Sequence, residues 1–354
     1  MLIKILIFLL FVTFPLGQVL RWEFLGGQLV VRPNDLIALV LGSIGIFKVS
    51  GPLKKPLLIW FGAMVISLVV NVLNYAPSQI LISATYIVRF ILYSGLYFIF
   101  KDIKLNKNVF VYATLAVALA GFGQYLFIPD VSFLAQFNWD PHYYRLISTF
   151  LDPGFTGAIL VLGLLLTRNK FYWAVIYVAL ALTYSRTSFL MFMASYTCVA
   201  IYKKSPKIFI GALVLMIATL IFLPRTFGDG TKLTRETSTL ARLKNWQESV
   251  EVWTTAPVFG VGYNTYRYVT NSAIESHAGA GADASLLLVM ATTGLFGLFA
   301  FLNLLKSIFI QGRGNVLFTA SLTGVIIASF FNNTLLYPFV MEWMWILLGT
   351  SQKN

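Results

Sequence analysis

Lys207-Ile-Phe-Ile-Gly-Ala-Leu-Val-Leu-Met-Ile-Ala-Thr-Leu-Ile-Phe-Leu223 contains no charge after its first residue. Two residues later the character reverses. From Arg225 to Asp283 runs the one long polar segment of the chain, and apolar runs resume directly after it. A run of this length and hydropathy fits a helix that crosses a bilayer, where about 20 apolar residues are needed. The long polar segment is then a loop between two such helices.

The same pattern repeats outward in both directions. Of 354 residues, 58% are hydrophobic and 11% are charged, and the mean hydropathy is +0.80. Soluble domains carry roughly 25% charged residues. Twelve spans are expected, at about 2–20, 35–47, 56–74, 79–100, 109–128, 153–167, 171–183, 187–202, 207–223, 284–305, 315–331 and 334–350. The expected fold class is all-α, a polytopic helical bundle forming one membrane domain over residues 1–354. The loop 225–283 is inserted between spans nine and ten. A β-barrel is excluded, because it would alternate polar and apolar residues. Met1 to Gln18 has the outline of a signal peptide but reads as an uncleaved first helix.

Basic residues set the orientation. Lys48, Lys54, Lys55, Lys101, Lys104, Lys107, Arg168, Lys170, Lys203, Lys204, Lys207, Lys306 and Arg313 fall on one side of a twelve-span layout. The short loops of the other side hold only Arg21, Arg32, Arg145 and Arg186. The positive-inside rule then makes both termini cytoplasmic and the long loop external. Of thirteen acidic residues, only Asp102 lies in an inner loop and only Glu342 within a span. The net charge of +13 is spread over these short loops, so no nucleic-acid partner is expected. Membrane lipid is the expected surrounding. The single Cys198 excludes an intrachain disulfide.

Several residues are candidates for chemistry. Arg89 and Glu342 lie at similar depth within spans, where an ionisable group is costly unless paired or hydrated. They read either as an ion pair or, for Arg89, as the floor of an outward cavity that binds phosphate. Arg145 stands among Trp139, Tyr143 and Tyr144, a setting for sugar stacking and anion binding or for an interfacial anchor. Asp152 before Pro153 reads as a helix N-cap. Arg186, in the tight Tyr184-Ser-Arg186 hairpin, is a surface stop or a phosphate contact.

Within the long loop, residues 238–255 form an amphipathic helix. Leu240, Leu243, Trp246, Val250 and Trp253 make one stripe that lies on the membrane or on the bundle. Arg242 sits at its edge beside Trp246. Gly260 and Gly262 could offer backbone N–H groups to an anion. Asp283 reads as the N-cap of the next span. His142 and His277 are the only histidines, and no ligand spacing supports a metal site.

Taken together these residues resemble the O-antigen ligase and polymerase-like family, bacterial membrane glycan transferases of GT-C type. The matching pieces are Arg145 to Pro153, Ser185-Arg186, Arg242-Leu-Lys-Asn-Trp246, Pro257-Val-Phe-Gly-Val-Gly262, and Asp283 with Thr293-Gly-Leu-Phe-Gly297. They span roughly residues 140–300. The resemblance implies transfer of a glycan from a polyprenyl (undecaprenyl) pyrophosphate carrier to an acceptor hydroxyl, outside the inner membrane and without metal or other cofactor. The acceptor is a lipopolysaccharide core sugar in ligases and the next repeat unit in polymerases. Arg89, Arg145, Arg186 and Arg242 would hold the pyrophosphate, and Tyr143, Tyr144 and Trp246 the glycan. Many ligases carry His-Asn eleven residues before the glycine matched by Gly294. Here Asp283 and Ala284 stand there, so the expected base is Asp283 or His277. The rival class, a transporter or lipid-linked oligosaccharide flippase, would favour symmetric halves and polar groups near the midplane, and no internal repeat is present. The oligomeric state is not legible.

Overall fold

The computed structural model of the chain describes residues 1–224, 229–232, 236–270 and 281–352. His277 and the rest of 271–280 lie outside the described residues. Among the described residues fourteen α-helices follow one another: α1 (Leu2–Thr13), α2 (Pro33–Ile46), α3 (Lys54–Val70), α4 (Pro77–Phe100), α5 (Asn108–Phe127), α6 (Pro153–Leu166) and α7 (Lys170–Leu182). Then come α8 (Arg186–Tyr202), α9 (Pro206–Phe222), α10 (Thr237–Thr255), α11 (Tyr266–Val269), α12 (Ser285–Gly312), α13 (Val316–Ala328) and α14 (Pro338–Ser351).

Each of the twelve apolar runs contains one of these helices, but not at equal length. Three are long and apolar enough to cross a membrane: Pro77–Phe100, Asn108–Phe127 and Ser285–Gly312. The other nine have 12 to 17 residues, or roughly 18–26 Å at 1.5 Å per residue. Proline fixes where several of these helices begin. Pro33, Pro153, Pro206 and Pro338 all occupy a first helical position.

The outside of the bundle is apolar. On α9, Ile210, Val214, Ile217 and Ile221 form an exposed stripe at helical spacing, and Leu2, Ile5, Phe8, Leu9 and Val12 do the same on α1. A soluble helix turns such a stripe inward; these suit a lipid surrounding. The interior is packed by α6 and α14, nearly all of whose residues are buried. Close crossings use small residues. A methyl at Gly42 would lie 1.9 Å from the Leu92 carbonyl oxygen, and one at Gly45 1.9 Å from that of Gly95. The backbones of α2 and α4 therefore touch, as small residues permit between membrane helices.

Two expectations need correction. The chain is not purely helical: Trp22–Phe24 and Leu29–Val31 pair as an antiparallel hairpin, with Trp22 opposite Val31. Leu25, Gly26 and Gly27 turn it with positive φ, and the Gly-Gly pair between two β-prone runs was a readable signal. Nor do Arg89 and Glu342 pair. Arg89 Nη2 lies 3.5 Å from Asp35 Oδ2, while Asn34 Nδ2 donates to Glu342 Oε2 at 2.6 Å. Equal depth along two helices did not ensure a shared face. The N-terminus of α2, packed on α4, stands between the two as the partner of both.

The ends of the helices sort by chemistry. Lys48 pairs with Asp102 at 3.7 Å, and the Tyr202 hydroxyl donates to the Arg313 carbonyl at 2.9 Å. At the opposite end gather Arg21, Arg32, Arg145, Arg186, Arg242 and Asp283 around one cavity.

Candidate active site

The break in α12 shapes this end of the molecule. Gly294 has φ 64° and ψ −169° inside the helix, a region in effect restricted to glycine. A break within an apolar span leaves backbone groups that must find partners. The run Pro257 to Gly262 supplies them. Val261 N and Gly262 N donate to the carbonyls of Ala291 (3.1 Å) and Thr292 (3.0 Å), and Leu295 N and Phe296 N donate to those of Pro257 (2.9 Å) and Val258 (3.1 Å). From α3, Ser67 Oγ donates to the Thr292 carbonyl at 2.6 Å and Asn71 Nδ2 to the Gly260 carbonyl at 2.9 Å. A methyl on Gly294 would lie 2.2 Å from the Val258 oxygen, and one on Gly260 2.3 Å from the Thr292 carbonyl carbon. The expected anion nest is therefore not there: Gly260 N donates to the Ala256 carbonyl at 2.8 Å and Gly262 N is spent on the kink.

Above this clasp opens a cavity of about 700 Å³. Among the described residues its charged lining is seven arginines (Arg21, Arg32, Arg89, Arg145, Arg186, Arg242 and Arg267) and three aspartates (Asp140, Asp152 and Asp283). All four arginines expected at a pyrophosphate therefore line one space. Arg145 is buried; its Nε donates to the Thr183 carbonyl at 3.1 Å and its Nη2 to that of Tyr184 at 3.5 Å. This ties the loop before α6 to the α7–α8 turn. Arg186, at the first position of α8, donates from Nη2 to Ser238 Oγ at 2.6 Å and Thr239 Oγ1 at 3.2 Å, on α10. Arg242 stands one turn further along α10, near enough for its charge to act on both Arg186 and Asp283.

Asp152 is the N-cap of α6, its carboxylate accepting from Phe155 N at 2.7 Å. Burial raises its pKa, against this hydrogen bond and the charge of Arg145. Asp283 differs from expectation. The N-cap of α12 is Ala284, so the carboxylate of Asp283 is one residue outside the helix and is not used for capping. Its backbone N–H donates to Asn245 Oδ1 of α10 at 2.7 Å. Burial raises its pKa most; Arg242 holds it down, and the negative charges of Asp140 and Asp152 push it up. It is thus a carboxylate beside a guanidinium, partly withdrawn from solvent, with a higher proton affinity than an ordinary aspartate.

The aromatic expectations divide. Tyr143, Tyr144 and Trp246 do not line the cavity, whereas Trp139 does. Tyr143 is exposed and stacks edge-on with Tyr144, and Trp246 faces Phe331. Trp139 carries the Arg21 guanidinium over its ring at 4.6 Å. On α10 the face turned to the protein is Ser249 and Val252, while Leu240, Leu243 and Val250 are exposed. The apolar stripe thus lies largely away from the bundle. Sequence reasoning passed over Arg267 and treated Arg21 and Arg32 only as topological markers. The hairpin signal was the clue to the last two, because its register sets both at its open end.

Among the described residues no group of three His, Cys, Asp or Glu side chains is placed to hold a metal.

Residues 171–302 match the family model described as O-antigen ligase. No curated protein matches the chain. The matched part runs from α7 through the break in α12, and it contains Arg186, Arg242, Asp283 and the Pro257–Gly262 clasp. Over this part the chain is O-antigen ligase-like, and the described residues include three helices long and apolar enough to cross a membrane.

Proposed function

We propose that the chain transfers a glycan from a polyprenyl pyrophosphate carrier to an acceptor hydroxyl. The reaction takes place at the outer face of the cytoplasmic membrane, in the assembly of O-antigen or another surface polysaccharide. The observation that carries this reading is the convergence of Asp283 with Arg145, Arg186 and Arg242 on one cavity, from four separate parts of the chain. In the matching layout, both termini are cytoplasmic, residues 225–283 are an extracytoplasmic loop, and the single membrane domain comprises the whole chain. The one-sided distribution of Lys and Arg supports it.

In the reaction the acceptor oxygen attacks the anomeric carbon of the donor sugar. The bond from that carbon to the pyrophosphate oxygen breaks, and its electron pair leaves with the pyrophosphate. Asp283 accepts the hydroxyl proton. Arg186 and Arg242, with Arg145 behind them, offset the charge that grows on the leaving group; a guanidinium binds phosphate through two parallel donors and stays ionised. Arg89 stands deeper, on α4, where it would meet the membrane side of the donor. Tyr143, Tyr144 and Trp246 have a glycan role only outside the cavity, along the path of a longer chain.

The test is transfer by purified protein in liposomes without an ion gradient, supplied with a polyprenyl-pyrophosphate glycan and an acceptor. New glycosidic product supports the reading. Movement of the donor across the bilayer with no product would make the chain a flippase instead.

A further inference from the structure

Two neighbouring carboxamides on the cavity wall have no part in the reaction as drawn. Asn332 and Asn333 lie in the loop between α13 and α14, outside the stretch that matches the family, and both line the cavity. Their oxygens are occupied. Asn332 Oδ1 accepts from Asn333 N at 3.0 Å, and Asn333 Oδ1 accepts from Ser285 Oγ at 3.1 Å. Ser285, just beyond Asp283 and Ala284, binds the loop twice more. Its N–H donates to the Ser329 carbonyl at 2.9 Å, and its Oγ accepts from Leu335 N at 3.2 Å. The loop is thereby fixed to the entrance of α12, and each carboxamide is held with its nitrogen as the unoccupied end. Neither Nδ2 makes a hydrogen bond among the described residues.

Both nitrogens stand over bare glycine backbone. A methyl on Gly154 would lie 2.8 Å from Asn332 Nδ2 and 3.1 Å from Asp152 Oδ1, and one on Gly281 3.8 Å from Asn333 Nδ2. Asn332 is therefore beside Asp152, and Asn333 beside the segment that leads into Asp283. Free N–H groups next to carboxylates suit hydroxyls. A hydroxyl gives its proton to a carboxylate and takes an N–H from a carboxamide. A negative substituent would instead face Asp152, Asp283 and Asp140, and a positive one would leave the two N–H groups unmet. Phe155, stacked on Tyr337 with ring centroids 3.8 Å apart, lines the same cavity, and Asp152 caps the helix at its N–H. Its ring adds a flat apolar surface for the C–H face of a pyranose.

We infer that Asn332 and Asn333, together with Asp152, form a hydroxyl-binding subsite for the acceptor, which presents an uncharged sugar ring at the point of transfer. Asn332 and Asp152 share one hydroxyl of that ring, and Asn333 takes a second on the side of Asp283. This rests on the transferase reading, which makes the bound sugar an acceptor, but its test is one of binding.

The full-length protein in nanodiscs would be titrated with the methyl glycosides of glucose, galactose, mannose and N-acetylglucosamine, with methyl glucuronoside, and with inorganic pyrophosphate. At least one neutral glycoside is expected to bind, and more tightly than the glucuronoside. Asn332→Ala and Asn333→Ala should each weaken that glycoside about fivefold, as for the loss of one hydrogen bond. Gly154→Ala should weaken it as well without lowering the melting temperature, because the nearest atoms that its methyl meets all belong to side chains. Pyrophosphate affinity should hold in all three variants. No binding of any neutral glycoside, preference for the glucuronoside, or unchanged affinity in all three variants would overturn the inference. So would a parallel loss of pyrophosphate binding, which would make the loop a structural brace. The transferase reading would stand in each case, because it falls only if no glycosidic product forms from any donor.

Discussion

The backbone N–H of Asp283 donates to Oδ1 of Asn245 at 2.7 Å. One hydrogen bond therefore joins the amphipathic helix α10 to the entrance of α12, and it holds the carboxylate of Asp283 beside Arg242, one turn before Asn245. The side chain of Asp283 is left for the cavity because Ala284 takes the cap position. Asn245→Ala should lower turnover about tenfold to a hundredfold, since a displacement of about 1 Å is enough for losses of that order. Thermal stability should fall by only about 1 kcal/mol, the usual net value of one hydrogen bond. Steady-state kinetics and melting of the same preparation measure both; a loss of turnover matched by loss of folded protein would make the contact merely structural.

The pH dependence follows from the same carboxylate. Burial, then Asp140 and Asp152, raise the Asp283 pKa above its ordinary 3.8, and Arg242 opposes them. A base works deprotonated, so activity should be full above the raised pKa and be lost as pH falls through it. The acid limb of the kcat profile should lie above pH 3.8. Asp140→Asn removes a negative charge and should move the limb down; Arg242→Gln removes a positive charge and should move it up. Profiles of the three proteins that superimpose would dissociate the limb from Asp283.

The break in α12 should tolerate no side chain. Gly294→Ala meets a backbone oxygen at 2.2 Å in a conformation that alone costs on the order of 1–3 kcal/mol. Gly211→Ala, on α9 with nothing within 4 Å of the added methyl, should leave stability unchanged or raise it by up to about 1 kcal/mol. Melting curves in detergent compare the two. Equal stability would mean that the clasp does not depend on the Gly294 break.

Orientation is open to a direct measurement. A reporter fused at Gly230 should be extracytoplasmic and one at Lys204 cytoplasmic. The opposite result at either position would reverse the proposed topology.

Much of this was legible because hydropathy acts locally. Twelve apolar runs each yielded a helix, and residues 238–255 yielded α10 within a residue. The polar end was legible as a set of residues but not as contacts. Arg145, Arg186, Arg242 and Asp283 meet in one cavity, while Arg89 found Asp35 rather than Glu342. Partner choice between helices depends on rotation about each axis, which a sequence position does not carry. The glycines of Pro257 to Gly262 were misread for a related reason. Positive φ is needed both for an anion nest and for close backbone approach, and only the position of α12 distinguishes the two. The tyrosines were assigned by proximity in sequence to Arg145, yet Trp139, earlier in the same loop, lines the cavity and they do not.

The account depends most on Asp283 as the group that takes the acceptor proton. His277, outside the described residues, is the alternative in the sequence. The most direct measurement is the rate of glycan transfer from a polyprenyl-pyrophosphate donor by purified wild type, Asp283→Asn and His277→Ala, at equal amounts of folded protein. Asp283→Asn is predicted to lose about 10²- to 10⁴-fold, the usual contribution of a general base, with His277→Ala near wild type. Wild-type turnover in Asp283→Asn together with an inactive His277→Ala would contradict the account and give the histidine the role.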